Sequence, residues 1–272
     1  MRPNPKEKTI LEKIVSARRK SLATAKRISP ISKIEREATS APPPISFEKS
    51  IVSSQGIAII AEMKRKSPSA GTLDMSLKPS DRAQLYCEAG AAAISVLTDS
   101  HFQGSLQNLA DVKKAVHNFR IPVLRKDFIF DPYQIYETRA FGADAFLLIV
   151  AILEENQLRE LLALGKKLWM QALVEIHNQT ELDTAISAGA EIIGINNRDL
   201  HTFKTNLEVT EKHAPLIPQG KIIVSESGIM DRSDMLKLRS LGVNAALVGE
   251  SLVTSHDPKS KILELLGTIS PL

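Results

Sequence analysis

The chain has 272 residues, 43% of them hydrophobic, and a formal net charge of +4. This length and hydrophobic fraction suffice for one large α/β domain, and no apolar run approaches the roughly 20 residues of a membrane helix. A single cysteine, Cys87, excludes an internal disulfide and fits a reducing compartment. It falls in a helical pattern, where a small buried side chain is expected. The composition indicates a cytoplasmic protein with no membrane partner.

The first 50 residues carry an excess of positive charge, with 12 Lys or Arg against five Asp or Glu. Such an arm can bind nucleic acid or direct a protein to an organelle. However, Ile10, Leu11, Ile14 and Val15 recur at helical spacing, and no aromatic residue that could stack on a base precedes Phe47. We therefore expect this segment to be a helical extension packed on the main domain, without a nucleic-acid partner.

The Pro42-Pro43-Pro44 run indicates the end of the extension, residues 1–50, and the start of a main domain, residues 51–272. From Gly56 onward, short β-rich runs alternate with amphipathic helical runs. The predicted strands are Ala58–Ala61, Ala92–Leu97, Pro122–Leu124, Ala145–Val150, Gln171–Val174, Ile192–Ile195, Ile222–Val224 and Ala245–Val248. The predicted helices include Pro79–Glu88, Leu106–Val116, Glu154–Leu164 and Glu181–Ala188.

Glycine lies just after a predicted helix and just before a strand at Gly90, Gly142, Gly189 and Gly242. This position favours the left-handed conformation that ends a helix before a strand. Eight strand–helix units predict a closed (β/α)8 TIM barrel. The alternative is an open doubly wound sheet, which is expected to have a glycine-rich nucleotide turn after its first strand. The chain has proline there, in residues 66–71, so the barrel is favoured.

Charged and polar residues follow most of the predicted strands. Because the C-terminal ends of barrel strands form the active site, these residues should meet on one rim. They are Glu62, Lys64, Lys66, Thr98, Asp99, Lys126, Asp127, Glu175, Asn196, Asn197, Arg198, Asp199, Ser225, Glu226, Ser227, Gly228, Gly249, Glu250 and Ser251. Solvated strand ends or structural ion pairs can explain single groups, but their concentration on one rim indicates a functional site.

The lysines and the lone strand-end glutamate are candidates for acid–base chemistry. Lys64 and Lys126 are candidate acids or anion-binding groups, and two crowded ammonium groups are expected to lower a lysine pKa. Glu175 is the only charged group of its apolar strand, and partial burial is expected to raise its pKa toward that of a base.

Gly228 and Gly249 follow the seventh and eighth strands, where barrels commonly bind phosphate on backbone N–H groups. The alternative is that both glycines serve only a positive backbone φ. The neighbouring Glu250 carries a negative charge, so we expect its side chain to turn away from the phosphate and only its N–H to face it.

Eight rim segments carry a further signal together. They are Glu62-Met63-Lys64-Arg65-Lys66-Ser67-Pro68-Ser69-Ala70-Gly71, Leu97-Thr98-Asp99 with Phe102-Gln103-Gly104-Ser105, Leu124-Arg125-Lys126-Asp127-Phe128, Leu147-Leu148-Ile149-Val150, Val174-Glu175-Ile176-His177, Gly194-Ile195-Asn196-Asn197-Arg198-Asp199-Leu200, Ser225-Glu226-Ser227-Gly228-Ile229 and Leu247-Val248-Gly249-Glu250-Ser251-Leu252. In order and spacing they resemble the indole-3-glycerol phosphate synthase family, the (β/α)8 enzymes of tryptophan biosynthesis. The resemblance covers the whole chain, with no departure at a position that the family uses for chemistry.

The resemblance implies a reaction and roles for six residues. The substrate would be 1-(2-carboxyphenylamino)-1-deoxyribulose 5-phosphate, and the products indole-3-glycerol phosphate, CO2 and water, with no cofactor and no metal. Lys126 resembles the general acid for ring closure, and Glu175 the base for the dehydration. Lys64 would lie beside the substrate carboxylate, and its share of the acid roles stays open. Glu62 would orient the lysines, and Asn196 and Ser227 would hydrogen-bond the substrate.

The resemblance also implies a set of substrate-binding residues: Lys66, Ser67, Pro68, Phe102, Leu147, Arg198, Leu200, Gly228, Leu247, Gly249 and Glu250. Among them Pro68, Phe102, Leu147, Leu200 and Leu247 would line a slot for the anthranilate ring. The expected partner is a phosphorylated small molecule. We expect a monomer, with room for weak association with other enzymes of the tryptophan pathway.

Two other functions stay open. A Schiff-base aldolase or lyase would use Lys126 or Lys64 as a covalent amine. A non-catalytic barrel would serve as an interaction scaffold whose basic arm contacts RNA. The combination of Lys126, Glu175 and Asn196 favours the enzyme over the scaffold.

Overall fold

The structure is a computed structural model that describes residues 9–52, 56–63, 66–67, 71–72, 78–199, 202 and 204–269, with only the backbone of residues 66, 67, 71 and 72. Eight parallel strands form a closed barrel. They are β1 (Ala58–Met63), β4 (Ala93–Leu97), β5 (Val123–Lys126), β6 (Ala145–Ile149), β7 (Gln171–Ile176), β8 (Ile192–Asn196), β9 (Ile222–Glu226) and β10 (Ala245–Val248). Their order around the barrel is β1-β10-β9-β8-β7-β6-β5-β4. The predicted TIM barrel is confirmed.

Helices surround the barrel and cover its N-terminal side. They are α1 (Ile10–Ile28), α2 (Ile31–Ser40), α3 (Phe47–Val52), α4 (Pro79–Glu88), α5 (Leu106–Ala115), α6 (Pro132–Ala140), α7 (Glu155–Lys167), α8 (Gln179–Ser187), α9 (Glu208–His213), α10 (Arg232–Ser240), α11 (Glu250–Thr254) and α12 (Pro258–Leu266). A short antiparallel pair, β2 (Lys66–Ser67) and β3 (Gly71–Thr72), follows β1. Within the described residues, none of the helices combines the length and apolarity of a membrane span.

Side chains of a strand alternate between the two faces of a sheet, and this alternation separates two cores. On β1, Ala58 and Ile60 pack inside the barrel, whereas Ile59 and Ala61 pack with the surrounding helices. Glu62 comes next on the interior side. The same alternation puts the last residues of several other strands inside the barrel mouth.

The N-terminal extension packs against one side of the barrel and closes its N-terminal end. Helix α1 begins with a capping box, in which Thr9 and Glu12 satisfy each other's backbone N–H groups. Helix α2 packs along α6. Helix α3 inserts the fully buried Phe47 and Ile51 into the interior core, where they cover the open ends of the strands. The arm is therefore helical and docked.

The predicted elements agree with the structure in position, and most strand ends lie one or two residues later than predicted. Helix α4 has the predicted bounds, and strand β10 also does. Each of the four inter-element glycines, Gly90, Gly142, Gly189 and Gly242, has a positive φ, between 78° and 98°. Cys87 is buried as expected, and burial raises the pKa of its thiol to about 12.

Candidate active site

One ammonium group lies among carboxylates at the C-terminal mouth of the barrel. Nζ of Lys126 is 3.1 Å from Oε2 of Glu175 and 3.2 Å from Oε2 of Glu226. Both glutamate side chains are almost fully buried, and the lysine side chain is 15% exposed. Glu62, at the end of β1, is a third carboxyl group whose charge acts on Lys126. A proton donor and candidate acceptors thus share one opening to solvent.

Strand alternation and register explain why these residues meet. Lys126, Glu175 and Glu226 are interior residues near the ends of β5, β7 and β9. Asn196, paired in register with Glu226, fills the corresponding position of β8. Closing the sheet brings these strand ends around one axis, although the residues are far apart in the chain.

Gly194 makes room for one of the carboxylates. It lies on β8, in register with Glu175, two residues before Asn196. A Cβ atom at this position would overlap Oε1 of Glu226. A larger residue would therefore push the Glu226 carboxylate away from its place beside Lys126. Gly194 was quoted within a motif, but its packing role was not predicted.

The charge state of Lys126 is opposite to the expectation from sequence. Burial tends to lower its pKa, but Glu175, Glu226 and Glu62 outweigh burial and raise the pKa above the ordinary lysine value. The predicted lowering was wrong for this lysine, because carboxylates rather than a second ammonium are its described neighbours. Lys126 is held as an ammonium ion, the form that can donate a proton.

The prediction for Glu175 was also wrong in direction. Burial does tend to raise its pKa, as expected, but the charges of Lys126 and His177 and a hydrogen bond from Asn196 lower it below the ordinary value. The carboxylate is therefore ionised at neutral pH and available as a proton acceptor. The sequence indicated burial at this strand end but not that Lys126 and His177 would both lie beside the carboxylate.

Glu226 is a site residue that the sequence-based set of catalytic residues omitted. Burial raises its pKa to about 8, and Glu175 and Glu62 add to this in opposition to Lys126. At neutral pH this carboxyl therefore holds a proton. The sequence contained a signal for this role. Glu226 lies two residues after Val224, and because side chains alternate along a strand, both point into the barrel.

His177 is a second residue that was quoted in a motif but given no role. Its Nε2 lies 3.3 Å from Oε1 of Glu175, and its Nδ1 lies 3.0 Å from Oε2 of Glu181. Burial tends to lower the pKa of the imidazole, but the two carboxylates outweigh this and raise it to about 10. His177 is therefore a cation on the side of Glu175 that faces away from Lys126.

The loops after β9 and β10 form the end of the site where a phosphate was predicted. Ser227 and Gly228 both have positive φ, 67° and 81°. Gly249 directly precedes helix α11 and lines the same small cleft as Gly228. Oε2 of Glu250 accepts a hydrogen bond from Nη2 of Arg198 at 3.0 Å. The Glu250 carboxylate thus pairs with an arginine that lines the cleft.

Apolar and aromatic side chains border the site elsewhere. The rings of Phe102 and Phe128 stack with centroids 6.5 Å apart and planes at 18°. Leu147 and Leu247 are buried in the interior core of the barrel. Phe128, which follows Lys126 and Asp127, was not among the predicted binding residues, although it belongs to a quoted motif.

Some predicted site residues cannot be placed. Lys64, Pro68 and Leu200 lie outside the described residues. For Lys66 and Ser67 the structure describes only the backbone, which pairs with Gly71 and Thr72. Glu62, Lys126, Glu175, Asn196, Arg198, Ser227, Gly228, Gly249 and Glu250 are brought together at the barrel mouth, around and beside Lys126. Among the described side chains, no group of three or more His, Cys, Asp or Glu has the arrangement of a metal site.

A second layer of charges lies behind the lysine strand. Arg125 is fully buried on the outer face of β5 and donates to Oδ2 of Asp127 at 2.8 Å and Oε2 of Glu137 at 2.8 Å. Thr98 donates to the same Asp127 oxygen at 2.7 Å. Arg18 of helix α1 completes this network with a 2.8 Å hydrogen bond to Asp127. The network therefore fixes Arg125 and Asp127, the residues on either side of Lys126 in the sequence.

The chain is similar to known proteins over nearly its full length. Residues 11–265 match the family model described as indole-3-glycerol phosphate synthase. The chain is 49% identical over 259 residues to indole-3-glycerol phosphate synthase of Dehalococcoides mccartyi strain CBDB1, covering 94% of this chain and 100% of that protein. It is 48% identical over 265 residues to the same enzyme of Roseiflexus sp. strain RS-1, covering 95% and 98%.

A more distant likeness concerns the fold. The structure aligns with a crystal structure of 3-hexulose-6-phosphate synthase at a TM-score of 0.63 and 13% identity, covering 79% of this chain and 100% of that one. This similarity supports the barrel architecture alone. The match over residues 11–265 and the identities near 50% with named enzymes decide the family. The chain belongs to the indole-3-glycerol phosphate synthase family.

Proposed function

We propose that this chain converts 1-(2-carboxyphenylamino)-1-deoxyribulose 5-phosphate to indole-3-glycerol phosphate, CO2 and water by acid–base catalysis, as a carboxy-lyase of tryptophan biosynthesis. Family membership carries the identity of the reaction. The arrangement of Lys126 between Glu175 and Glu226 at the barrel mouth carries the mechanism. An ammonium donor, an ionised carboxylate and a protonated carboxyl in one buried group are suited to a sequence of proton transfers.

Lys126 is assigned as the acid for ring closure. The aromatic carbon that bears the carboxylate forms a bond to the ketone carbon, and the ketone oxygen takes a proton from the ammonium. This step breaks aromaticity and develops charge on oxygen, so a fixed donor in a buried site stabilises the transition state more than the ground state. Glu226, protonated and 3.2 Å away, can return a proton to Lys126 afterwards.

Loss of CO2 is assigned to the apolar part of the site. The bond between the ring carbon and the carboxylate breaks, and its electron pair enters the ring system. An apolar slot disfavours the charged carboxylate more than neutral CO2. Phe102 and Phe128 with Leu147 and Leu247 supply such surroundings. Pro68 and Leu200 are retained in this slot as proposals from sequence.

The dehydration is assigned to Glu175 as base. The hydroxyl group formed from the ketone leaves as water once an acid protonates it. Glu175 removes a proton from the new five-membered ring, so that the aromatic indole forms. Its ionised state, maintained by Lys126, His177 and Asn196, suits this role. Lys64 and Lys126 both stay candidates for the acid. Glu62 is assigned to orient the lysines, and Asn196 and Ser227 to hydrogen-bond the substrate hydroxyls.

The phosphate is assigned to the loops after β9 and β10. Gly228 and Gly249 would offer backbone N–H groups, while Arg198 holds the Glu250 carboxylate by its 3.0 Å contact. Lys66 and Ser67, on the short β2 strand, are proposed to approach the substrate from the opposite loop. A phosphate held at one end and a ring held at the other would bend the flexible sugar chain into reach of Lys126.

Three broader expectations are also part of this proposal. The division into an extension at residues 1–50 and a catalytic barrel at residues 51–272 is proposed, with helix α3 lying across it. A monomer that works in the cytoplasm is proposed, with weak association with other tryptophan-pathway enzymes. A phosphorylated small molecule is the partner that family membership supports.

The Schiff-base alternative is disfavoured by the charge state of Lys126. A covalent amine must lose its proton to attack a carbonyl, whereas the three surrounding carboxyl groups hold Lys126 protonated. Borohydride added during turnover, followed by mass spectrometry of the intact chain, tests this directly. We expect no added mass, and a reduced adduct on Lys126 would establish the alternative.

The central experiment is incubation of the purified chain with the carboxyphenylamino substrate while indole fluorescence is recorded. We expect fluorescence to rise with the wild-type chain and stay flat with the Lys126→Ala variant. Far-UV circular dichroism of both proteins shows whether they are folded. No product from a folded wild-type chain would overturn the proposed function.

A further inference from the structure

Five titratable side chains form a continuous line of contacts through the site. The line begins at Glu181, in the first turn of helix α8, whose Oε2 contacts Nδ1 of His177 at 3.0 Å. Nε2 of His177 contacts Oε1 of Glu175 at 3.3 Å. Oε2 of Glu175 contacts Lys126, which in turn contacts Glu226. The line joins the start of helix α8 to the group of residues assigned to proton transfer.

Both ring nitrogens of His177 face carboxylate oxygens. A neutral imidazole has one N–H and one lone pair, so one of the two contacts would set a lone pair against a carboxylate. Protonating both nitrogens removes this repulsion. The contact to Glu175 is an ion pair without the alignment of a hydrogen bond, and so acts mainly through charge. Two carboxylates beside one imidazole ring therefore favour the imidazolium ion.

Glu181 is built to hold the imidazolium in place. Its Oε2 also accepts a hydrogen bond from the backbone N–H of His177 at 2.8 Å, and its Oε1 accepts one from Nδ2 of Asn178 at 2.7 Å. Asn178 in turn caps helix α8 by accepting from the backbone N–H of Glu181 at 3.0 Å. The carboxylate is thus anchored at the first turn of a helix, where negative charge is favoured.

Glu175 and Glu226 compete for one ammonium group. Their contacts with Lys126 differ by only 0.1 Å, at 3.1 and 3.2 Å, and both carboxyls are buried. Two buried carboxyls beside one cation hold a proton between them. Lys126 donates a hydrogen bond to Glu175, whereas within the described residues the Glu226 oxygens accept none. A second difference lies beyond the lysine. Glu175 has His177 on its far side, whereas in the described part of the chain Lys126 is the only cation within 4 Å of Glu226.

We propose that His177 is a positioning residue that keeps Glu175 as the ionised carboxylate of this pair and thereby leaves the shared proton on Glu226. The inference rests on the proposed function, because it concerns the group assigned there as the base. His177 thereby decides that Glu175, and not Glu226, is the base, and it can do so without contacting the substrate. The pKa values of the three groups, about 10 for His177, about 8 for Glu226 and below the ordinary range for Glu175, agree with this order.

Other charged groups near this line must be considered before pH effects are assigned to it. Glu62 and Lys126 face the inner end, and the outer end opens to a cleft of about 650 Å³. Charged side chains that line this cleft with His177 are Glu12, Glu181, Arg198, Asp199 and Lys204. Arg198 is paired with Glu250. Among the described side chains, the charged groups within ion-pair distance of His177 are the carboxylates of Glu175 and Glu181.

The first test observes the charge of His177 without using activity. The ring nitrogens of the six histidines can be followed by two-dimensional ¹⁵N NMR across pH 6–9, with His177→Gln identifying the signal of interest. We expect both nitrogens of His177 to stay protonated throughout this range, while an ordinary histidine loses its proton near pH 6.5. A neutral ring at pH 8 would overturn the inference, whether or not the proposed reaction is observed.

The second test uses kinetics with variants that separate charge from shape. The ratio of kcat/KM between a variant and the wild-type chain, measured across pH, cancels the ionisation of the substrate. For His177→Gln, which keeps a polar group but loses the charge, we expect this ratio to fall toward acid pH because the pKa of Glu175 rises when the neighbouring cation is removed. His177→Lys should restore much of the acid-side activity, and Glu181→Gln should show a smaller fall.

A buried histidine outside the site supplies the control. His213 of helix α9 contacts the backbone oxygen of Val209 through Nδ1. His213→Gln should change stability with no pH-dependent change in the kinetic ratio. If His177→Gln lowered the rate by the same factor at every pH, or if His177→Lys failed to restore acid-side activity in a folded protein, His177 would have only a structural role. An inactive wild-type chain would count against the proposed function and leave the NMR result as the test of the inference.

Discussion

Nη2 of Arg18, in the first helix, lies 2.8 Å from Oδ2 of Asp127, the residue that follows Lys126. The Asp127 side chain is fully buried, and Arg125 donates to the same oxygen. The carboxylate thus depends on two guanidinium groups, one from the barrel and one from the N-terminal extension. Together with Thr98 they hold its pKa below the ordinary value against the opposing effect of burial. The extension therefore contributes directly to the support of the lysine strand.

Replacing Arg18 by methionine should destabilise the protein. Loss of one partner from a buried ion pair commonly costs about 3–5 kcal/mol, and because Arg125 remains we expect a smaller loss of about 1–3 kcal/mol. Urea unfolding measures this free energy. Lys20→Met, on the exposed side of the same helix, is the control and should change it by less than about 0.5 kcal/mol. Equal stabilities of the two variants would mean that the Arg18 contact contributes nothing.

Lys126→Ala should abolish turnover with little change in substrate affinity. A positioned acid contributes about 10²–10⁴-fold to rate, so kcat should fall by at least 100-fold while the substrate dissociation constant stays within about tenfold. Single-turnover fluorescence and equilibrium binding measure the two quantities. Lys113→Ala is the control, because Lys113 pairs with Asp144 near the opposite end of the barrel and should affect stability only. A loss of kcat smaller than about tenfold would contradict the assignment of Lys126.

Glu226→Gln should stabilise the protein increasingly as pH rises from 5 to 8. The pKa of Glu226 in the fold is about 8, above the ordinary value of 4.5. Its stabilising contribution is therefore full below pH 4.5 and is lost as pH rises toward 8, at about 1.4 kcal/mol per pH unit. Glutamine holds the neutral form at every pH.

The melting temperature of the Glu226→Gln variant relative to the wild-type chain, recorded between pH 5 and pH 8.5, checks this sign. We expect the difference to increase by several degrees across the range, with lower activity throughout. Glu264→Gln, which removes a carboxylate paired with Lys261 on helix α12, is the control and should not show this increase. A difference for Glu226→Gln that stayed constant with pH would place the shared proton elsewhere.

Gly194→Ala should impair catalysis by moving Glu226. The added methyl group would overlap Oε1 of that carboxyl, and overpacking in a buried site costs about 1–3 kcal/mol. We expect a fall in kcat of at least about tenfold, because displacing a catalytic group by about 1 Å has effects of this size or larger.

Gly165→Ala is a matched control for the Gly194 variant. Its methyl group would overlap the ring of Phe146 in the outer core, so it should lower stability comparably and leave kcat nearly unchanged. Steady-state kinetics and thermal unfolding of both variants make the comparison. Normal turnover by a folded Gly194→Ala variant would show that the position of Glu226 is not critical.

Gly249→Asp and Glu250→Ser should have opposite effects on substrate binding. The first places bulk and negative charge where the phosphate is proposed to lie, and we expect a loss of affinity of at least about tenfold. The second removes a nearby negative charge together with its contact to Arg198 and leaves the backbone N–H in place, so affinity should stay the same or improve slightly. Equilibrium titration with substrate measures both. A substantial loss in Glu250→Ser would place the phosphate at another part of the rim.

Much of the architecture was predictable from local patterns. Alternating strand and helix runs, with glycines such as Gly90 and Gly142 between them, located all eight barrel strands to within about two residues. The prediction ended several strands too early because the charged residues Glu62, Lys126 and Glu226 interrupt the apolar pattern. In the structure these residues still belong to the strands. Their side chains are tolerated inside the barrel mouth because opposite charges meet there.

The sequence by itself determined that the chain is a (β/α)8 barrel with charged strand ends on one rim, because strand and helix periodicity and the order of elements are local properties of the chain. Only the tertiary structure decided that Lys126 contacts Glu226 as well as Glu175, and that His177 charges the far side of Glu175. These contacts join residues on different strands, and each pKa depends on all charges within a few ångströms and on burial. For this reason the sequence suggested a lysine with a lowered pKa, whereas the folded barrel holds it as an ammonium ion.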